Sequence, residues 1–406
     1  MSLFSIFDDT HEEVSLMIDI GNGSIALAFV LFRPESNPYV LYTNRLPFVM
    51  SEKLDEAQLL SGTCTLLTDL LKEAMLRGFE DPYWKGKKKH LRNALLAFSS
   101  PWYVSKTKHI HLTQENAFII TEKFIVDVIE EESKMFQQEM RATEYGGAFN
   151  GQLEVVEKAI VHSKINGYAI RDVIGKKTKV FDAYVCLSVV AKVISDKITD
   201  IIFSNSHIPK DHMIVHTFPV VSFGTIKEIF VNETDFLIMD VAGEATDITL
   251  VQNDVIVQTA TFPSGRNFVI RQIAKALGVS PEIAESMFHL WSSRKGDDEV
   301  EQDMQKILDD IEREWAIYLE NALLELSPKM SLPSKVYITA DDDVAQLYTE
   351  FLKFPKNDTT SLFRYHANIM HLNTEMLSQM FKNNPRVQSD EFIGILAVFY
   401  NKIRKQ

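Results

Sequence analysis

Residues 16–32, LMIDIGNGSIALAFVLF, constrain the fold of this chain more than any other stretch. Two apolar runs flank a turn made of Gly21, Asn22, Gly23 and Ser24, with Asp19 just before it. After the turn the chain does not become a helix with polar faces; residues 25–32 continue as a second apolar, strand-like run. That excludes the phosphate loops in which a strand feeds directly into a helix N-terminus. In a hairpin of this kind the glycines adopt backbone conformations closed to other residues and let amides approach an anion closely. The aspartate can then hold a hydrated cation beside that anion. Asn-Gly is also the preferred pair for an ordinary two-residue hairpin, so the turn alone decides nothing.

The same figure recurs at residues 236–251, FLIMDVAGEATDITLV. Asp240, Gly243 and Thr246 stand in the same relative order as Asp19, Gly21 and Ser24, with an apolar strand before them and a strand-like run after. Two such turns in one chain predict two similar halves facing one cleft.

At 406 residues, 46% of them hydrophobic, the chain is long enough for two or more domains with a sizeable core. No apolar run reaches bilayer length, and the N-terminus is acidic where a secretory signal is basic and then apolar, so the cytoplasm is the expected compartment. Cys64 and Cys186 sit in apolar settings and read as small core hydrophobes in a reducing environment. A net charge of −14 argues against nucleic acid as a partner. The local run Lys85, Lys87, Lys88, Lys89, His90 and Arg92 reads as a solvated loop.

In chain order, a further strand at 39–47 precedes an amphipathic helix in which Leu59, Leu60, Cys64, Leu67, Leu70 and Leu71 share one face. A buried strand at 94–98 completes the opening of an α/β domain. An insertion follows: Thr121 is placed to cap a helix through Arg141, 145–152 reads as a turn or loop, and strands are expected at 154–166 and 178–187. Helical periodicity resumes at 190–203, and 213–218 reads as the strand that rejoins the parent sheet. In the second half, 236–261 reads as three antiparallel strands, with helices at 267–277, stopped by Gly278, and at 281–291. A charged segment at 294–303 leads into a helix with the stripe Ile307, Ile311, Trp315, Leu319 and Leu323, ended by Pro328 and Pro333. A strand ending at Thr339 runs into Ala340, Asp341, Asp342 and Asp343, then a helix at 344–352; residues 354–384 show no clear period.

This order of motifs resembles the actin-like ATPase superfamily, and within it the bacterial cell-division protein FtsA and its relative PilM of type IV pilus assembly. IDIGNGS looks like the first phosphate motif and MDVAGEATDI like the second, and VYITADDDVA occupies the place of the adenosine motif. Residues 158–190 are similar to the FtsA pattern through the inserted module, and 262–285 follow the FtsA segment after the second phosphate motif. The resemblance spans roughly 14–349 and implies an α/β, RNase H-like, two-lobed fold with a strand-helix-strand-strand insertion. The expected domains are a first lobe over 1–111 and 183–230, the module over 112–182, a second lobe over 231–349, and a C-terminal segment, 350–406, packing back on the fold.

Carried across by resemblance, Asp19 would place a magnesium ion through water, and Gly21, Asn22, Gly23 and Ser24 would surround the terminal phosphates of ATP. Asp240, Gly243, Glu244 and Thr246 would form the opposing clamp, and Gly265 would approach the nucleotide from the second lobe. The chain departs from the family pattern at Ala340–Asp343, where paired glycines are expected, and at Arg266, Ile270 and Gln272; a lysine expected after Ala284-Glu285 is missing. Together these departures imply weak nucleotide binding or a scaffold with little hydrolysis. No catalytic base stands out: Gln114 and Glu115 read as a solvated pair, and His109 and His111 as surface histidines.

Residues 392–405, FIGILAVFYNKIRK, lie where FtsA proteins close their fold, so 394–399 is expected in the core rather than in a membrane. The primary reading is an adaptor or polymerising scaffold of cell division that binds the tail of a tubulin-like division protein, self-associates, and meets the membrane only indirectly. The alternatives are a PilM-like platform for a pilus assembly protein tail, and an active ATPase or kinase.

Overall fold

The computed structural model describes residues 12–48, 56–148, 151–170, 172–293, 298–326, 332–353 and 368–405. The acidic N-terminal run, residues 354–367 of the aperiodic 354–384 stretch, Pro328 and the first residues of the 294–303 segment lie outside them.

β1 (Glu13–Ile20), β2 (Ser24–Phe32) and β3 (Tyr39–Pro47) form an antiparallel meander. β1 and β2 are buried almost throughout, which explains why both read as continuous apolar runs: the sheet is covered on both faces. α1 (Glu56–Arg77) supplies one cover through Leu67, Leu70, Leu71 and Ala74, all fully buried at helical spacing. β4 (Ala94–Phe98) then pairs parallel to β1.

The insertion is a four-stranded sheet backed by a helix. β5 (Tyr103–Ile119) leads to α2 (Glu122–Arg141), whose N-terminal amide of Phe124 donates to Thr121 Oγ1 at 3.1 Å, the expected cap. A single-turn helix, α3 (Glu144–Ala148), lies within the stretch expected to be a loop. β6 (Leu153–Ile165) turns through Asn166-Gly167, both at positive φ, into the two-residue β7 (Tyr168–Ala169), and β8 (Lys177–Ala191) lies between β5 and β6. β8 runs past the expected strand end because Val190 pairs with Tyr103 on one side and with Glu154 on the other, so α4 (Lys192–Ser206) starts later than its periodicity implied. The sheet therefore occupies 103–191. Buried Glu157 ties it to the parent lobe, accepting from the Thr217 amide at 2.9 Å and the Thr217 hydroxyl at 2.8 Å.

β9 (Met213–Thr217) rejoins the parent sheet parallel to β4. After α5 (Phe218–Ile229) the plan repeats: β10 (Phe236–Val241), β11 (Thr246–Gln252) and β12 (Val255–Phe262) form a second meander. α6 (Arg266–Leu277), α7 (Pro281–Ser292) and α8 (Asp298–Leu326) lead to β13 (Lys335–Ala340), parallel to β10. α9 (Asp342–Lys353) and β14 (Asn368–His371), parallel to β13, complete the second sheet. The sheet orders are β15-β3-β2-β1-β4-β9 and β12-β11-β10-β13-β14, where β15 (Lys382–Asn383) follows the short α10 (Thr374–Leu377). In each half a three-stranded meander is followed by two parallel strands, and each lobe carries its own apolar core.

α11 (Glu391–Ile403) is buried along its length, so 394–399 is core. Its Tyr400 hydroxyl donates to buried Glu13 at 3.1 Å, and Gly224 of α5 lets the Phe399 ring approach so closely that a Cβ there would meet it at 2.5 Å. No described helix is long and apolar enough to cross a membrane.

Candidate functional site

The two hairpin turns meet and line a cleft of about 770 Å³ between the lobes. Asp19, Gly21, Gly23 and Ser24 line it from the first lobe, and Asp240 and Gly243 from the second. The turn tips touch: a Cβ built on Gly23 would lie 2.5 Å from the Gly243 Cα, so both positions require glycine for close approach. Asn22 fastens the contact, its Oδ1 accepting from the Glu244 amide at 2.8 Å while its Nδ2 donates to the Ser100 carbonyl at 2.6 Å.

Asn22, Glu244, Thr246 and Gly265 stand behind this wall and do not line the cleft. Glu244 is held by Arg271 at 2.6 Å and by Asn267 at 2.7 Å. The Thr246 hydroxyl donates to the Ser264 carbonyl at 2.6 Å. Gly265 packs directly under the second turn, and the first amides of α6 are spent there: Arg266 donates to the Ala242 carbonyl at 2.9 Å and Asn267 to that of Gly243 at 2.7 Å.

The decisive residue on the first lobe is Arg45, which carries no motif signal. Asp19, Ala26 and Arg45 occupy one cross-strand row of β1, β2 and β3. Ala26 is too small to block the row, and the Arg45 guanidinium reaches across it to Asp19 at 3.0 Å and to the Ser24 hydroxyl at 2.7 Å. The other edge of the same guanidinium grips Asp390, just before α11, at 2.8 and 3.0 Å. Burial pushes the Asp19 carboxyl up to about 6, with Arg45 opposing and the Asp390 and Asp341 charges adding to it. Burial also acts on Asp390, but the Arg45 charge, its hydrogen bonds and the α11 amides outweigh it and hold this carboxyl below its ordinary range.

On the second lobe, Arg266 lies 2.7 Å from Asp343, 2.8 Å from Glu285 and 3.9 Å from Asp341. The Arg266 charge is balanced by Asp343 and Glu285, with Asp341 farther off.

The second lobe has a row equivalent to that of Arg45: Asp240, Asp247 and Thr261 on β10, β11 and β12. Asp240 accepts from the Thr339 hydroxyl at 2.7 Å, and burial together with the neighbouring Asp247 charge raises its carboxyl well above the ordinary range. Asp247 accepts from Thr261 at 2.5 Å and reaches into the first half of the chain, accepting from Ser100 at 2.7 Å and Tyr103 at 2.9 Å. Asp247 is therefore a clasp between lobes. It lies inside a motif read for phosphate, where nothing marks a residue that bonds to the first half of the chain.

As arranged, these residues do not fit a magnesium triphosphate. Asp19 is already neutralised by a guanidinium, the α6 amides and the Glu244 amide are bonded within the protein, and the remaining lining charges are mostly carboxylates. Gln114 and Glu115 lie in an exposed stretch of β5 and do not line the cleft. His109 and His111 share Asp182, at 3.1 and 2.7 Å, on the same module.

No protein-family model and no curated protein matches the sequence. Among solved structures, one described as a PilM-PilN type IV pilus biogenesis complex superposes with a TM-score of 0.57 at 14% identity, covering 96% of this chain and 98% of that one. An ethanolamine utilization protein EutJ from Carboxydothermus hydrogenoformans gives 0.43 at 12% identity, covering 97% and 92%. A Bacteroides thetaiotaomicron protein described as having an actin-like ATPase fold gives 0.39 at 10% identity, covering 98% of each chain. The chain has the actin-like fold, a mixed α/β architecture of several sheets.

Proposed function

We propose that this actin-like chain is a protein adaptor whose cleft charges are satisfied by its own ion pairs, with nucleotide at most a weak regulatory ligand and hydrolysis at most slow. The observation that carries the reading is the Arg45 guanidinium 3.0 Å from Asp19. The carboxylate that a divalent cation would need is already paired, and a triphosphate entering without its cation would meet an excess of carboxylates. As in the FtsA resemblance, the adaptor works in the cytoplasm on the tail of a tubulin-like division protein, at the inner face of the membrane through that partner. The PilM-PilN complex among its structural neighbours is an assembly with a protein partner, which supports the same role with a pilus assembly tail as the alternative occupant.

Two measurements on the full chain test this. Calorimetry with millimolar ATP and magnesium is expected to show no saturable heat, while immobilised tail peptides of a tubulin-like division protein are expected to capture the chain saturably. Capture by a pilus assembly tail alone would move the reading to its alternative. Tight magnesium-dependent ATP binding with steady turnover would overturn it in favour of an enzyme.

A further inference from the structure

We infer that Arg45 is a built-in counter-ion, occupying on Asp19 the place of a divalent cation, and that the C-terminal segment keeps it there through Asp390. The inference rests on the self-paired cleft proposed above and adds what holds Arg45 in place.

The geometry is that of a seated guanidinium rather than a surface arginine. Its edges are divided between two carboxylates, Asp19 at 3.0 Å and Asp390 at 2.8 Å, and it lies 4.8 Å from the centre of the Phe392 ring. Asp390 is itself fixed, since its Oδ1 accepts from the Ile393 amide at 3.0 Å as the cap of α11. The stretch that carries Asp390 is fastened to β3, the strand that carries Arg45: the Lys382 amide donates to the Pro38 carbonyl at 2.9 Å and the Asn384 amide to the Val40 carbonyl at 3.0 Å. Strand and C-terminal segment therefore clamp one charge from two sides. Without that charge, buried Asp19, part-buried Asp390 and the Ser24 hydroxyl would face one another, a set of hard oxygen donors with a strong demand for a divalent ion. The same corner thus has two states, one satisfied by the chain's own cation and one that would take an external cation. A partner that drew the first turn of α11 out of the cleft would favour the second.

Manganese tests this, titrated into the full chain and read by electron paramagnetic resonance. The wild type is expected to show no binding that depends on Asp19. Arg45→Met, which keeps the length of the side chain and its packing on Phe392, is expected to bind manganese at least tenfold more tightly than the wild type, and Arg45→Met/Asp19→Asn to lose that gain. If Arg45→Met does not fold in chelator, manganese is expected to restore its melting transition, because an ion bound only to the native state stabilises it by mass action. A folded Arg45→Met that gains no affinity, an unfolded one that manganese does not restore, or a wild type whose manganese binding is abolished by Asp19→Asn would each overturn the inference. A wild type that captures a tail peptide while Arg45→Met takes no manganese would remove this inference alone. Tight ATP binding by the wild type would instead remove the functional reading on which it rests.

Discussion

Asp19 and Asp390 share one guanidinium and respond to it in opposite directions, because they differ in what else surrounds them. Asp390 receives two hydrogen bonds from one edge of Arg45 and a third from an α11 amide, so its charged form is favoured. Asp19, 2% exposed, has one bond from Arg45 and like charges nearby, so its carboxyl sits near 6. The sign follows. A carboxyl raised in the folded state contributes stability that is present below the unfolded pKa of about 4 and is lost as pH rises through about 6; Asp390 contributes stability above its ordinary range that is lost as pH falls through its lowered value. A rise of about two units corresponds to about 3 kcal/mol. Asp19→Asn is therefore expected to flatten the decline in stability between pH 4 and pH 6, where most of that amount, about 2 kcal/mol, is lost. Urea unfolding at pH 4, 5, 6 and 7 checks this, and an unchanged slope in the variant would count against the charge balance described for this corner.

The hairpin is the element on which the site depends, and it works by register. Its turn places Asp19 opposite Ala26, and the next strand places Arg45 opposite Ala26 in turn, so a small residue in the middle position lets a long cation reach an acid two strands away. In the second lobe the middle position holds Asp247 and the third Thr261, and the row turns outward to clasp the first half instead. The turns themselves are limited by backbone contact. Gly243→Ala would place a methyl group against Gly23, so the tips must separate and the Asn22 to Glu244 bond must stretch. The expected cost is about 1–3 kcal/mol, typical of overpacking, with faster amide exchange at Glu244. Hydrogen exchange measured at both turns distinguishes this from a general loss of stability.

At the scale of the whole molecule, Asp247 joins halves that the chain separates by some 150 residues: its partners are Ser100 and Tyr103. Asp247→Ala would leave those hydroxyls without their acceptor, at a cost of about 1–3 kcal/mol for each buried group left unsatisfied. Asp247→Asn keeps an acceptor and removes a charge facing Asp240, so it is expected to be neutral or stabilising. Melting temperatures separate the two variants, and equal destabilisation by both would show that the charge, rather than the hydrogen bonds, makes the clasp.

Much of the architecture was legible in the sequence. The repeated Asp-turn pair announced two equivalent lobes, Thr121 announced the start of α2, and Gly278 the end of α6, where it adopts φ 66°. These features are local: a cap, a turn or an apolar period acts within a few residues, and the chain states it directly. The residues that fill the cleft were not legible for the opposite reason. Reaching Arg45 from Asp19 requires the register of β3 against β2, which passes through an irregularity between Phe29 and Val30 that no local rule places. Asp390 lies 345 residues from Arg45, and Asp343 lies 77 from Arg266. The sequence by itself determined the two lobes, the inserted sheet and the turns that face one another. Only the tertiary structure decided that the charges between those turns are satisfied from within, because the pairing of buried charges depends on distance in space, and spacing along the chain does not set that distance.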